Sequence, residues 1–115
     1  MAFSELERKR CETALAAFLE DKRPPPAVRH QVDLLARIEG QSVVIYQARP
    51  HWRDPTQTME VPVAKSTFVR SHNRWRIYWM RSDLKWHSYQ PCPEVRSVEE
   101  FFKVVARDDC NCFFG

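Results

Sequence analysis

Residues 74–79 read Arg-Trp-Arg-Ile-Tyr-Trp, an alternation of polar and bulky apolar side chains with a period of two. Only an extended strand sends successive side chains to opposite faces at that period. The segment therefore predicts a strand that buries Trp75, Ile77 and Trp79 and shows Arg74, Arg76 and Tyr78 to solvent. A chain built around it needs a sheet with one covered face and one open face.

The cover is predicted from the two ends of the chain. Ser4 and Glu7 form a capping box, after which Cys11, Ala14, Leu15, Phe18 and Leu19 fall on one helical stripe, giving a helix over 4–21 with Leu6 off the stripe. Pro24, Pro25 and Pro26 cannot continue that helix and make a stiff spacer. Ser97 and Glu100 repeat the capping box ahead of Phe101, Phe102, Val104 and Val105, so a second, short helix is expected over 98–107.

Between the helices the pattern is that of strands. Gly40-Gln41 suits a two-residue type II′ turn that pairs Glu39 with Ser42 and Ile38 with Val43, with Val32, Leu34, Ala36, Ile38, Val43 and Ile45 facing inward. Asp33, Leu35, Arg37, Val44 and Tyr46 then face outward. PHWRDPTQTMEVP (50–62) reads as a long loop. A second hairpin turning at His72-Asn73 pairs Ser71 with Arg74, and puts Phe68 with the buried Trp residues and Lys65, Thr67 and Val69 with the exposed Arg residues. LKWHSY is expected to return as a short strand, with Leu84, Trp86 and Tyr89 covering a sheet edge.

These readings give one domain over 1–115 of class α+β: an antiparallel meander of four to five strands within 31–89, with both helices on one face and a tail over 108–115. The expected core is Phe18, Leu34, Ile38, Val43, Ile45, Phe68, Trp75, Ile77, Trp79, Phe101 and Val105. Several of these stretches together, AFSELERKR, RPPP, RIEGQSV, PVAK, WRIYWMRSDLKWHSYQPCPEV and CFFG, resemble a bacterial family known as domain of unknown function 3024. The resemblance spans nearly the whole chain and implies a bacterial source and a stand-alone domain. It assigns no activity, cofactor or partner, and no cofactor is expected from the residues either.

Charge narrows the partners. Residues 40–93 carry eight basic against three acidic side chains, whereas 1–39 balance at seven each and 94–115 carry three against five. An anionic partner should therefore meet the middle of the chain. No apolar run approaches a membrane span and no signal segment opens the sequence, so a cytoplasmic protein with free thiols is expected. With glycine only at 40 and 115, a glycine-rich phosphate loop is excluded.

Four candidate chemistries remain. Lys65, Arg74, Arg76 and Tyr78, extended by Arg37 and Tyr46 if the two hairpins are neighbours, could hold a single-stranded nucleic acid by phosphate contact and base stacking, although any half-exposed strand shows polar residues outward. Trp52, Phe113 and Phe114 could anchor a protein partner or a second copy, or else complete the core, the role expected of Trp86. Asp83-Leu84-Lys85 has the D-x-K form of a metal-dependent nuclease, but is also an ordinary turn after a strand. His87, Cys92, Cys110 and Cys112 are metal-ligand types whose spacings, H-x4-C and C-x-C, lack the paired knuckles of structural zinc.

Overall fold

A computed structural model describes residues 3–110 and 112–114. Helix α1 spans Glu5–Lys22, and its Ser4 cap forms the full predicted box, Ser4 Oγ accepting from the Glu7 amide at 3.2 Å and Glu7 Oε1 accepting from the Ser4 amide at 2.8 Å. A 3-10 turn over Pro26–Val28 follows the proline spacer. Six antiparallel strands come next: β1 (Asp33–Glu39), β2 (Ser42–Pro50), β3 (Thr58–Val69), β4 (Arg74–Met80), β5 (Trp86–Ser88) and β6 (Glu94–Val95). Helix α2 spans Val98–Arg107; Ser97 Oγ accepts from the Glu100 amide, but Glu100 reaches the Arg96 amide instead of closing the second box.

The sheet order is β1-β2-β3-β4-β5, with β6 placed beside β4 on the same edge as β5. This extends the strands past residue 89: the prolines at 91 and 93 interrupt the edge, and the sheet resumes at Glu94. Across the gap Ile77 keeps both backbone bonds, its amide donating to the Pro93 carbonyl at 3.0 Å and its carbonyl accepting from the Tyr89 amide at 2.9 Å.

The first hairpin has the expected register, Glu39 opposite Ser42 and Ile38 opposite Val43, and Gly40 takes a positive φ of 62° that its missing Cβ makes inexpensive. The second is displaced by two residues. Val69, not Ser71, closes on Arg74, and Arg70–Asn73 make a four-residue turn in which Asn73 adopts the left-handed conformation at φ 48°. Because the displacement is even, every side chain keeps its expected face.

The long loop is also shorter than the composition suggests. Strands β2 and β3 continue to Pro50 and from Thr58, leaving His51–Gln57 as the connection. Proline at 62 is tolerated because the ladder slips there: Ile45 pairs with Ala64 and Tyr46 with Pro62, so Val63 is an extra residue. Val63 and Ala64 consequently both point into the core, at 5% and 0% exposed. Beyond the bulge, β2 and β3 run past the end of β4, flanked by β1 as far as Ala48, and Arg49–Pro50 with Thr58–Met59 form a short two-stranded ribbon at the end.

Both helices lie on the inner face. Cys11 and Phe18 of α1 and Phe101, Phe102 and Val105 of α2 join Leu34, Val43, Ile45, Trp75 and Ile77 in one buried cluster, with Ile38, Phe68 and Trp79 half-buried at its margin. Aromatic contacts knit the layers: Phe18 meets Phe102 with ring centroids 5.0 Å apart, and Trp75 meets Phe68 at 5.3 Å. Burial holds the Cys11 thiol up at about 11, so it packs as a small neutral apolar group.

Candidate functional site

Strands β2 and β3 are neighbours, so the outer face does assemble the predicted residues. One cross-strand row reads Arg37, Val44, Lys65, Tyr78 and Ser88, and the next brings Tyr46 beside Pro62 and Met80 beside Trp86. The sequence predicts Trp86 in the core, but its register places it on the outer face. There the Lys65 ammonium lies 5.0 Å from the Trp86 ring centre and 5.2 Å from that of Tyr78, and burial draws its pKa downward. Leu84, also predicted to cover an edge, sits in the β4–β5 turn at φ 62° and is 81% exposed, whereas Tyr89 is buried.

Val44 is only 3% exposed although it faces outward. Its flanking partners in the row are Arg37 and Lys65, long side chains whose apolar stems can cover it. Arg37 in turn contacts the Glu60 carboxylate and lies 4.9 Å from the centre of the Tyr46 ring, whose hydroxyl donates to Glu39 at 2.5 Å. Arg76 faces Glu94 at 3.6 Å, and Arg70 makes a bidentate pair with Glu7 at 2.9 and 3.0 Å. Arg70 and Arg76, both in the basic middle segment, are thus met by carboxylates that the fold brings in from the flanks.

The other six of its eight cations, Arg49, Arg53, Lys65, Arg74, Arg81 and Lys85, have no carboxylate partner among the described residues. Arg74 lies at the turn end of β4 and donates to the Asn73 carbonyl. Arg49, Arg53, Arg81 and Lys85 all belong to the opposite end of the sheet, where the ribbon and the β4–β5 turn project. At the ribbon tip Trp52 is 72% exposed, with the Arg53 guanidinium 4.5 Å from its ring centre and the His51 ring stacked at 5.9 Å. This aromatic-cationic end is not legible as a unit in the sequence, because its parts lie about thirty residues apart along the chain.

The remaining candidates are placed differently from expectation. Phe113 is no surface anchor: it is 6% exposed, packs its ring at a tilt against Tyr89 with centroids 4.8 Å apart, and its amide donates to Asp108 Oδ1 at 3.0 Å. The left-handed Asp108 ends α2 and folds the tail back, which explains the docking. Phe114 stays 38% exposed. Asp83 spends its carboxylate inside the turn, accepting from the Lys85 amide at 2.9 Å and meeting His87 Nε2 at 2.8 Å. Cys92 points to the Glu94 carbonyl and Cys112 to that of Cys110, while burial and the neighbouring Cys110 push the Tyr89 hydroxyl up to about 12. Among the described residues no group of three or more His, Cys, Asp or Glu is arranged to hold a metal.

The electrostatics also make a stability prediction. Hydrogen bonds from Arg70 and the Ser4 amide hold the Glu7 carboxyl at about 2, and Arg23, bidentate at 2.8 Å, does the same for Asp33. Both folded values lie below the usual 4.5 and 3.8, so the unfolded chain binds these protons first. Their stabilisation is complete above about pH 4.5 and is lost as pH falls toward 2. Melting temperature measured across that window should fall, and Arg70→Ala should flatten the Glu7 part of the slope; an unchanged slope would show that the pair contributes nothing.

Comparison with known families decides the affiliation. The family model described as Domain of unknown function (DUF3024) matches residues 3–115. The chain belongs to this family. No curated protein and no solved structure matches the chain. The DUF3024 match covers essentially the whole of the α+β unit, so helices, sheet and ribbon are all parts of the family domain and not additions to it. Among the described residues no helix is long and apolar enough to cross a membrane.

Proposed function

We propose that this domain is a binding module for single-stranded nucleic acid, working in a bacterial cytoplasm and without catalysis of its own. The observation that carries the reading is the ribbon tip: an exposed Trp52 stacked by Arg53, at the end of the sheet where Arg49, Arg81 and Lys85 also lack carboxylate partners among the described residues. Single strands need cations spaced along the phosphates and flat side chains for the bases, and this end supplies both. Lys65, Tyr78 and Trp86 continue the aromatic-cationic track onto the outer face. Relative to the sequence expectation, the weight moves away from Arg74 and Arg76, since Arg76 is already matched by Glu94.

A fluorescence-polarisation titration of single-stranded and duplex oligonucleotides at two salt concentrations tests this. The expected result is tighter binding of the single strand, weakened by salt. Arg49→Ala/Arg53→Ala should lower the slope of log affinity against log salt by about 1.4, at roughly 0.7 for each phosphate no longer neutralised, and Arg74→Ala/Arg76→Ala should lower it less. No binding at low salt would overturn the proposal. It would turn attention to the second reading, in which Trp52 and the half-exposed Phe114 grip a protein partner.

A further inference from the structure

Apart from the two-residue end of β2 at Arg49–Pro50, the described sheet has three stretches of unpaired edge, and two are blunted. The β5/β6 edge consists of pieces of three and two residues separated by Pro91 and Pro93, and the part of β3 that extends past β4 carries Pro62 beside a bulge. These are the usual protections against edge-to-edge pairing. Strand β1 has none of them. It is seven residues long, free of proline and glycine, and paired only with β2.

Its backbone is presented for pairing. A two-residue turn makes Glu39 and Ser42 a hydrogen-bonded pair, so by the period of two Arg37, Leu35 and Asp33 also bond to β2, and the amides of Leu34, Ala36 and Ile38 point outward. The Leu34 amide, in keeping with that direction, donates to the side chain of the preceding residue, Asp33 Oδ1, at 2.8 Å and not to β2. Beside this edge runs a groove against α1. Two adjoining hollows share Ala36 and Arg37, one reaching Leu19 and Arg23 and the other Arg8, Glu12 and Leu15. Leu15, Leu19, Ala36 and Ile38 are half-buried along it, a broken apolar stripe one layer deep.

We infer that the occupant of this edge is a second copy of the chain, added antiparallel through β1 on a two-fold axis at Leu35. In that register the outward amides and carbonyls of Leu34 and Ala36 meet those of the partner's Ala36 and Leu34, and Leu35 meets its own symmetry mate. On the outer face Asp33 lies opposite the partner's Arg37, twice. Since Arg23 already holds Asp33 and Glu60 already contacts Arg37, each side becomes an alternating row, Arg23, Asp33, Arg37 of the copy, Glu60 of the copy. Centring the axis on Ala36 would set Asp33 against Glu39, and centring it on Arg37 would oppose two guanidiniums, so charge selects the Leu35 register. As the Leu34 amide turns to its new partner, the released Asp33 oxygen is taken by the partner's arginine. The two sheets join as one, with both helical layers on the same side.

Sedimentation velocity of the full chain over a hundredfold concentration range should give a monomer–dimer equilibrium. Arg37→Glu alone and Asp33→Arg alone each place like charges opposite one another twice and should weaken the dimer by about tenfold or more, while an equimolar mixture of the two restores both opposite-charge pairs and the dimer. Amide hydrogen exchange of the unaltered chain gives a reading that does not depend on how the variants fold: protection of Ala36 should rise with protein concentration. A chain that stays monomeric, a dimer indifferent to both charge reversals, or an Ala36 amide whose exchange ignores concentration would each overturn the inference.

Discussion

Phe101→Ala is expected to cost about 3–5 kcal/mol of folding stability, the range for removing a buried phenyl ring that its surroundings cannot refill. Phe101 is fully buried, sits 5.1 Å from Phe102, and through Phe102 is linked to Phe18 of α1. The ring therefore stands where α2, α1 and the inner face of the sheet meet, and a cavity there touches all three elements. Against a total stability of roughly 5–15 kcal/mol, that loss is about a fifth or more of the whole. Urea unfolding followed by Trp fluorescence measures it, with Leu6→Ala, at 82% exposed, as a control expected to change stability by under about 0.5 kcal/mol. A loss below about 1 kcal/mol for Phe101→Ala would mean that α2 does not pack where it is placed here.

The second large effect concerns binding and leaves the fold alone. Trp52→Ala should weaken single-strand affinity by about 1–3 kcal/mol, roughly 5- to 150-fold, because a stacking platform contributes on that scale per base. It should leave the salt slope unchanged, since no charge is removed. Melting temperature should not move, because Trp52 lies outside the core cluster, on the exposed connection between β2 and β3. The combination separates the two readings of the site. An affinity loss with a conserved salt slope belongs to base stacking. A Trp52→Ala variant that binds oligonucleotides normally would place the aromatic at a protein interface or leave it idle.

Much of the fold is legible in the chain because local rules are strong where they are used. Two Ser-x-x-Glu boxes and three prolines bound the helices, and Gly40, which alone can take a positive φ without cost at that turn, fixes the first hairpin. The second hairpin is misread by two residues because asparagine supports a left-handed residue in a four-residue turn as well as a tight one. Period-two alternation survives that error, and so the assignment of faces does too. The ribbon is hidden because Pro50, Pro55 and Pro62 read as loop, yet two of the three are accommodated at a strand end and at a bulge.

The site is legible only in part. Row neighbours such as Arg37 and Lys65 follow from strand alternation once β2 and β3 are known to be adjacent. Which cations are left without a partner does not follow, because Glu7, Glu60 and Glu94 reach Arg70, Arg37 and Arg76 only through the tertiary fold. A charge count by segment treats all eight middle cations alike. Trp86 is misassigned for a related reason: in a three-residue strand, one step of register decides between the core and the outer face.

The extra residue at Val63 sets the phase of everything beyond it. With it, Pro62, Glu60 and Thr58 share a side with Lys65, and Val61 and Met59 share the other with Ala64. Were Val63 instead paired as an ordinary strand residue, unbroken alternation would reverse the two sets, turning Met59 and Val61 toward the outer surface and withdrawing Glu60 from Arg37. The bulge thus acts as a one-residue reserve in this arm: loss of Val63 alone would let Pro62 follow Ala64 in regular alternation with every polarity kept, whereas flattening the bulge at unchanged chain length would turn the arm inside out.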